Sequence, residues 1–190
     1  ALSIASAILL VLAPAALAED LCNVTFDGAS TEGLFRNTWG DKPTEVLQNG
    51  AQADAGREGA GGHLRLQFGD DCPNNLSYWT LDFPEPAPIL PQIEQLFFWV
   101  KTNVPVSIKV PISPFGFIYH GPSVQPSDEW QQVTVQGAYS ELKAWCARGE
   151  QDADNGLIPG LIVAIGGTKS AMADVSIDDA TISGAEGSLQ

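Results

Sequence analysis

The strongest constraint on this chain is a hydrophobic period of two. Residues 105–112 place Val106, Ile108, Val110 and Ile112 on one face, with Ser107 and Lys109 on the other. Residues 63–68 do the same with Leu64, Leu66 and Phe68, and residues 78–83 with Trp79, Leu81 and Phe83. Successive side chains of a strand point to opposite faces, so this pattern describes sheets with one face in a core and one in water. Residues 96–101, Leu-Phe-Phe-Trp-Val-Lys, are apolar on both faces, as a central strand would be. Further strands are expected around 22–26, 130–135, 161–165 and 175–183. Turn clusters at 54–62, 69–75, 84–91, 113–116 and 148–156 separate them, and the prolines at 84, 86 and 88 mark a surface loop. Only 140–147 offers a short helix. With about eight strands and no internal repeat, the chain reads as one all-β domain, an antiparallel β-sandwich of jelly-roll type with long loops.

Residues 1–18 carry no charge, run apolar from Ile8 to Leu12, and end on Ala16-Leu17-Ala18 before Glu19. That is the h-region and c-region of a secretory signal peptide without its n-region or initiating Met. As a transmembrane anchor the segment is too short, interrupted by Pro14 and followed by acids. A lipid anchor at Cys22 fits less well, because Glu19-Asp20-Leu21 precede it. The expectation is a signal peptide over 1–18 and a secreted domain over 19–190. Export puts Cys22, Cys72 and Cys146 in an oxidising compartment. Three cysteines make one bridge and one free thiol, with Cys72–Cys146 preferred because both sit in loop contexts. Asn23 and Asn75 open glycosylation sequons.

Charge narrows the partners. The chain has 9 Lys+Arg against 23 Asp+Glu, a formal net charge of -14. Nucleic acid and anionic membranes are disfavoured, since both are held through Lys and Arg. Catalytic motifs are scarce. With two histidines, His63 and His120, a multi-histidine metal site is out of reach. There is no nucleophile elbow and no phosphate loop. A carboxylate pair for glycoside hydrolysis would come from Asp82 with Glu129 or Glu141. Lyase chemistry would need Tyr119 or His120 as base, with Arg65 or Lys109 facing a uronate.

The order of segments then becomes informative. A strand ends in Phe26-Asp27-Gly28 and a Trp39-containing stretch follows. A Gly-rich loop leads into Gly62-His63-Leu64-Arg65-Leu66. After these come Phe97-Phe98-Trp99-Val100-Lys101, Glu129-Trp130-Gln131-Gln132-Val133-Thr134-Val135, and Val175-Ser176-Ile177-Asp178-Asp179-Ala180-Thr181-Ile182. This resembles the galactose-binding-like jelly roll of many carbohydrate-binding modules, over most of 22–183.

The resemblance implies two features. One is a structural calcium beside the first and last strands, for which Asp27 and the Asp178-Asp179 pair match; calcium takes carboxylate oxygens from distant segments. The alternation there is awkward, because Asp178 shares a face with Ala180 and Ile182. The other is a sugar-binding face for a polysaccharide or oligosaccharide. Sugars stack C–H patches on aromatic rings and present hydroxyls to polar side chains. The residues expected to supply such a face are Trp99, Arg65, Gln67, Lys101, Lys109, Tyr78 and Asp82, with Tyr119 on a rim loop over 113–126. Trp99 either looks outward as a platform or lies under a loop, and Trp130 is assigned to the core or a turn. The reading is a secreted, non-catalytic carbohydrate-binding module. A small glycoside hydrolase or polysaccharide lyase is the alternative, and a structural or adhesion domain a third.

Overall fold

In the computed structural model, the residues described are 20–24, 35–40, 44–70, 76–83, 87, 93–113, 117–136 and 156–184, with six single positions between 140 and 154. For 20–44, 117–119 and 136 the description covers the backbone alone. The segments carrying the expected signal peptide, Asp27, Glu141, Cys72, Cys146 and Asn75 lie outside the described residues, as do the side chains of Cys22 and Tyr119.

The described chain is a sandwich of two antiparallel sheets, built from β1 (Asp20–Val24), β2 (Phe35–Gly40), β3 (Thr44–Gln52), β4 (Gly61–Phe68), β5 (Leu76–Asp82), β6 (Ile93–Thr102), β7 (Val106–Ile112), β8 (Phe117–Val124), β9 (Ser127–Gln136), β10 (Gly160–Gly166) and β11 (Met172–Gly184). The six-stranded sheet runs β3-β4-β11-β6-β9, with β1 also paired to β11; the five-stranded sheet runs β2-β5-β10-β7-β8. The jelly-roll expectation holds. In the expected helical stretch, the described Ser140, Lys143, Ala144 and Ala147 are helical.

The alternating faces are where the sequence puts them. Leu64, Leu66, Phe68, Trp79, Leu81, Phe83, Leu96, Phe98, Val100, Val106, Ile108, Val110 and Ile112 all enter one core. Each fully buried aliphatic or aromatic side chain contributes about 1.5–3 kcal/mol. Trp79 keeps its indole N–H satisfied by donating to Asn49 Oδ1 on β3, 2.8 Å away, which ties the two sheets together.

Among the described residues there are eleven strands rather than about eight. The additional ones are β2, β3 and β8, each at the edge of its sheet. Residues 117–124 are therefore a strand and not part of a rim loop. Pro122 is tolerated because β8 pairs with β7 alone and its register shifts between Ser107 and Lys109 of β7.

The awkward run at the end of β11 has a physical cause. Asp178 pairs with Trp99, yet the next pair is Thr181 with Phe97, so one extra residue bulges out. Asp179 takes it up at φ 49°, a left-handed conformation that Asp tolerates. The bulge reverses the alternation: Val175 and Ile177 face the core before it, Ala180 and Ile182 after it. Asp178 consequently lies on the outer face with Asp174 and Ser176.

Candidate functional site

The outer face of the six-stranded sheet is built from three aligned rows. His63, Ser176 and Lys101 form one, through the β4–β11 and β11–β6 registers. Arg65 lies opposite Asp174 in the next. Asp178, Trp99 and Gln132 form the third. All are residues that the period of two sends away from the core.

A cleft of about 500 Å³ opens on this face. Its floor holds His63, Lys101, Ser176 and Asp174, one wall comes from 54–56, and Asp128 with Trp130 forms the other. Trp130 is thus a half-buried cleft residue and not a core residue. Its even position, opposite in parity to the inward Val133 and Val135, was the signal for this. The β6–β9 register, with Trp99 opposite Gln132 and Val100 opposite Gln131, runs on toward Lys101 and Trp130, which line the cleft together.

The floor is held by a short polar chain. His63 Nε2 donates to Asp174 Oδ1 at 2.6 Å, and its Nδ1 meets Gln52 Oε1 at 2.9 Å. Arg65 Nε lies 3.3 Å from the other Asp174 oxygen. Acid, imidazole and guanidinium fix one another, so the cleft floor is preorganised. Lys101 and the flanking Asp54 and Asp128 form no ion pair among the described residues.

Trp99 meets a fate between the two the sequence allowed. It points outward, but the Arg57 guanidinium lies 3.9 Å above the centre of its ring. Arg57 comes from the 53–60 loop, 42 positions earlier, and sequence spacing gives no hint of the contact. Its backbone N–H donates to Asp178 Oδ2 at 2.7 Å, and its guanidinium reaches Asp179 Oδ2 at 3.3 Å. Gly56 N–H closes the loop on Gly59 O at 2.9 Å. Under this loop Asp178 is only 6% exposed.

The other expected ligands do not join the cleft. Arg65 borders it. Gln67 turns away, donating to Ser170 O at 2.7 Å. Tyr78, Asp82, Lys109 and Tyr119 stand on the five-stranded sheet, so Lys109 cannot share a surface with Trp99. There Lys109 Nζ sits 4.9 Å from the Tyr78 ring centre. The expected carboxylate pair is also split: Asp82 is on β5, next to the β2 edge of one sheet, whereas Glu129 is on the β9 edge of the other.

For the expected calcium, the described donors are Asp178 and Asp179. One Asp178 oxygen accepts the Arg57 N–H, and the other accepts the Asp179 N–H at 3.0 Å. Among the described residues, no three His, Cys, Asp or Glu side chains cluster as a metal site.

No protein-family model matches the chain, and no curated protein matches it. Solved structures do. The family 11 carbohydrate-binding module of a cellulosomal cellulase from Clostridium thermocellum is 14% identical, covering 92% of this chain and 100% of that one, with a TM-score of 0.54. The same organism's family 11 module in complex with a β-1,3-1,4-mixed-linked tetrasaccharide is 13% identical over 86% of this chain and 95% of that one, TM-score 0.52. The chain has the β-jelly-roll fold of carbohydrate-binding modules. The CBM22-1 xylan-binding domain from Paenibacillus barcinonensis shares it at 12% identity, over 90% of this chain and 97% of that one, TM-score 0.52. At such identities the likeness shows the fold and carries no residue across.

Proposed function

We propose that this chain is a secreted, non-catalytic carbohydrate-binding module that holds a polysaccharide in the cleft between the 54–56 wall and Trp130. The observation that carries the reading is the lining of that cleft: one half-buried Trp beside Lys101, Asp54 and Asp128, over a fixed His63–Asp174 floor. A pyranose ring presents a C–H face that stacks on an indole, and its equatorial hydroxyls pair with charged groups whose hydrogen bonds are the stronger kind. A concave, preformed site with a few convergent polar groups is what small ligands select. The net charge of -14 favours neutral chains over polyuronates. The fold supports the reading, as does a bound tetrasaccharide in one structure of that fold. Secretion rests on the uncharged 1–18 segment.

The test is retention on insoluble mixed-linkage β-glucan, cellulose and xylan, followed by calorimetry with soluble oligosaccharides. Trp130→Ala is expected to weaken binding at least tenfold, the scale of a buried aromatic anchor, with little change in melting temperature. Unchanged retention would remove the cleft from the argument. Release of new reducing ends on prolonged incubation would replace binding by hydrolysis.

Calcium at Asp27 with Asp178 or Asp179 is part of the same proposal. Its support is the β1–β11 register, in which Val24 lies opposite Ala180, next to the acidic pair. A site specific to the folded state adds about 2.7 kcal/mol at a hundredfold excess over its dissociation constant. Melting curves in chelator and in millimolar calcium should therefore separate, and coincident curves would dismiss the ion.

A further inference from the structure

The carbohydrate reading leaves Arg57 unexplained, since it occupies the ring face best placed for a sugar. Trp99 and Trp130 are outward residues of paired strands. Trp99 lies opposite Gln132, and Trp130 is two positions away along β9 on the same face. Residues in this diagonal relation are close neighbours, about 7–8 Å apart in a regular pair and within reach of long aromatic side chains. The sheet therefore carries two adjacent indoles, of which Trp130 lines the open cleft and Trp99 lies beneath a guanidinium.

We infer that Arg57 determines the length of glycan the site accepts, by filling the stacking position over Trp99 and ending the cleft after the Trp130 position. This rests on the carbohydrate reading above. Three features hold the block in place. The guanidinium stacks at 3.9 Å and pairs with Asp179 at 3.3 Å. The loop beneath it is fixed through backbone, by Arg57 N–H on Asp178 and by Gly56 N–H on Gly59. The turn is also tight: a Cβ at Gly61 would come within 2.6 Å of Gly56 Cα. Because the loop is anchored by main-chain donors, removing the Arg57 side chain uncovers Trp99 while those hydrogen bonds remain. A chain end or short oligosaccharide then fits the native cleft, and a longer chain gains a second stacking position only once the guanidinium leaves.

The experiment compares Arg57→Ala, Trp99→Ala and the double variant with the native chain. The probes are tetrasaccharides and hexasaccharides of mixed-linkage β-glucan and of xylan, read by calorimetry. Arg57→Ala should bind the hexasaccharide roughly two- to tenfold more tightly than the native chain does, the size of one aromatic stacking contact, with a smaller change for the tetrasaccharide. Trp99→Ala alone should bind as the native chain does, and the double variant should lose the gain. Acrylamide quenching of indole fluorescence should rise in Arg57→Ala and not in the double variant, which verifies the uncovering without a ligand. Binding by Arg57→Ala where the native chain binds nothing would mean the block is complete, and would support the inference. A gain that survives in the double variant would come from the loop and overturn it. Native affinities in Arg57→Ala, with Trp130→Ala still impaired, would overturn the length limit and leave the carbohydrate site standing. No binding by any variant to any probe would overturn both.

Discussion

The outer faces of the two sheets obey the same alternation and end up as different surfaces. On the six-stranded sheet the outward row of His63, Ser176 and Lys101 remains polar and floors an open cleft. On the five-stranded sheet the outward row of β5 and β10 holds Thr80, Ile162 and Ala164, and these are only 7%, 5% and 3% exposed. Ile162 pairs with Thr80 on one side and Lys109 on the other, so it stands outside the main core and is nevertheless covered. The difference teaches that alternation assigns a residue to a face, while accessibility depends on what the rest of the chain lays over that face. Tyr78, Asp82 and Lys109 belong to the five-stranded sheet, and Lys101 and Trp130 to the six-stranded one.

Five substitutions test that contrast, beginning with the inner reference point. Trp79→Ala should cost about 3–5 kcal/mol in denaturant unfolding, the range for removing a fully buried Trp, with the loss of the Asn49 contact included. Ile162→Ala should cost about 2–5 kcal/mol although its side chain faces away from that core, while Ser176→Ala on the open face should stay within about 0.5 kcal/mol. Equal effects at 162 and 176 would erase the distinction between the faces. The finest comparison sets Trp99→Ala against Lys109→Ala. Each removes one cation–aromatic contact, worth about 0.5–1 kcal/mol at a partly exposed site. A loss of 3–5 kcal/mol at Trp99 would place it in the core after all.

Central strands were legible in the sequence; of the border strands β9 was, whereas β2, β3 and β8 were not. β4, β5, β6, β7 and β10 carry clean alternation or doubly apolar runs because neighbours on both sides demand it. β3 reads Glu45-Val46-Leu47-Gln48-Asn49, too polar to signal, and Val46 and Leu47 are in fact exposed. β8 hides behind Gly121-Pro122, a turn signal that only an edge position can absorb. For the site, parity sufficed to place Trp99, Lys101 and Arg65 on an outer face, and would have placed Trp130 there too. It could not bring Arg57 onto Trp99, because a loop's landing place is set by anchors such as Asp178, whose own orientation depends on an unseen bulge. Nor could it tell which strands share a sheet, and so it merged Lys109 with Lys101.

Four of these strands share one more property. β3 and β9 border one sheet, β2 and β8 the other, and every one of them slips register against its single partner. A straight border strand offers a row of unpaired amides to the next molecule, and a break in register bends and twists that row so that a second copy cannot zip along it. Through these breaks in register a strand-rich chain resists growing border to border into fibrils.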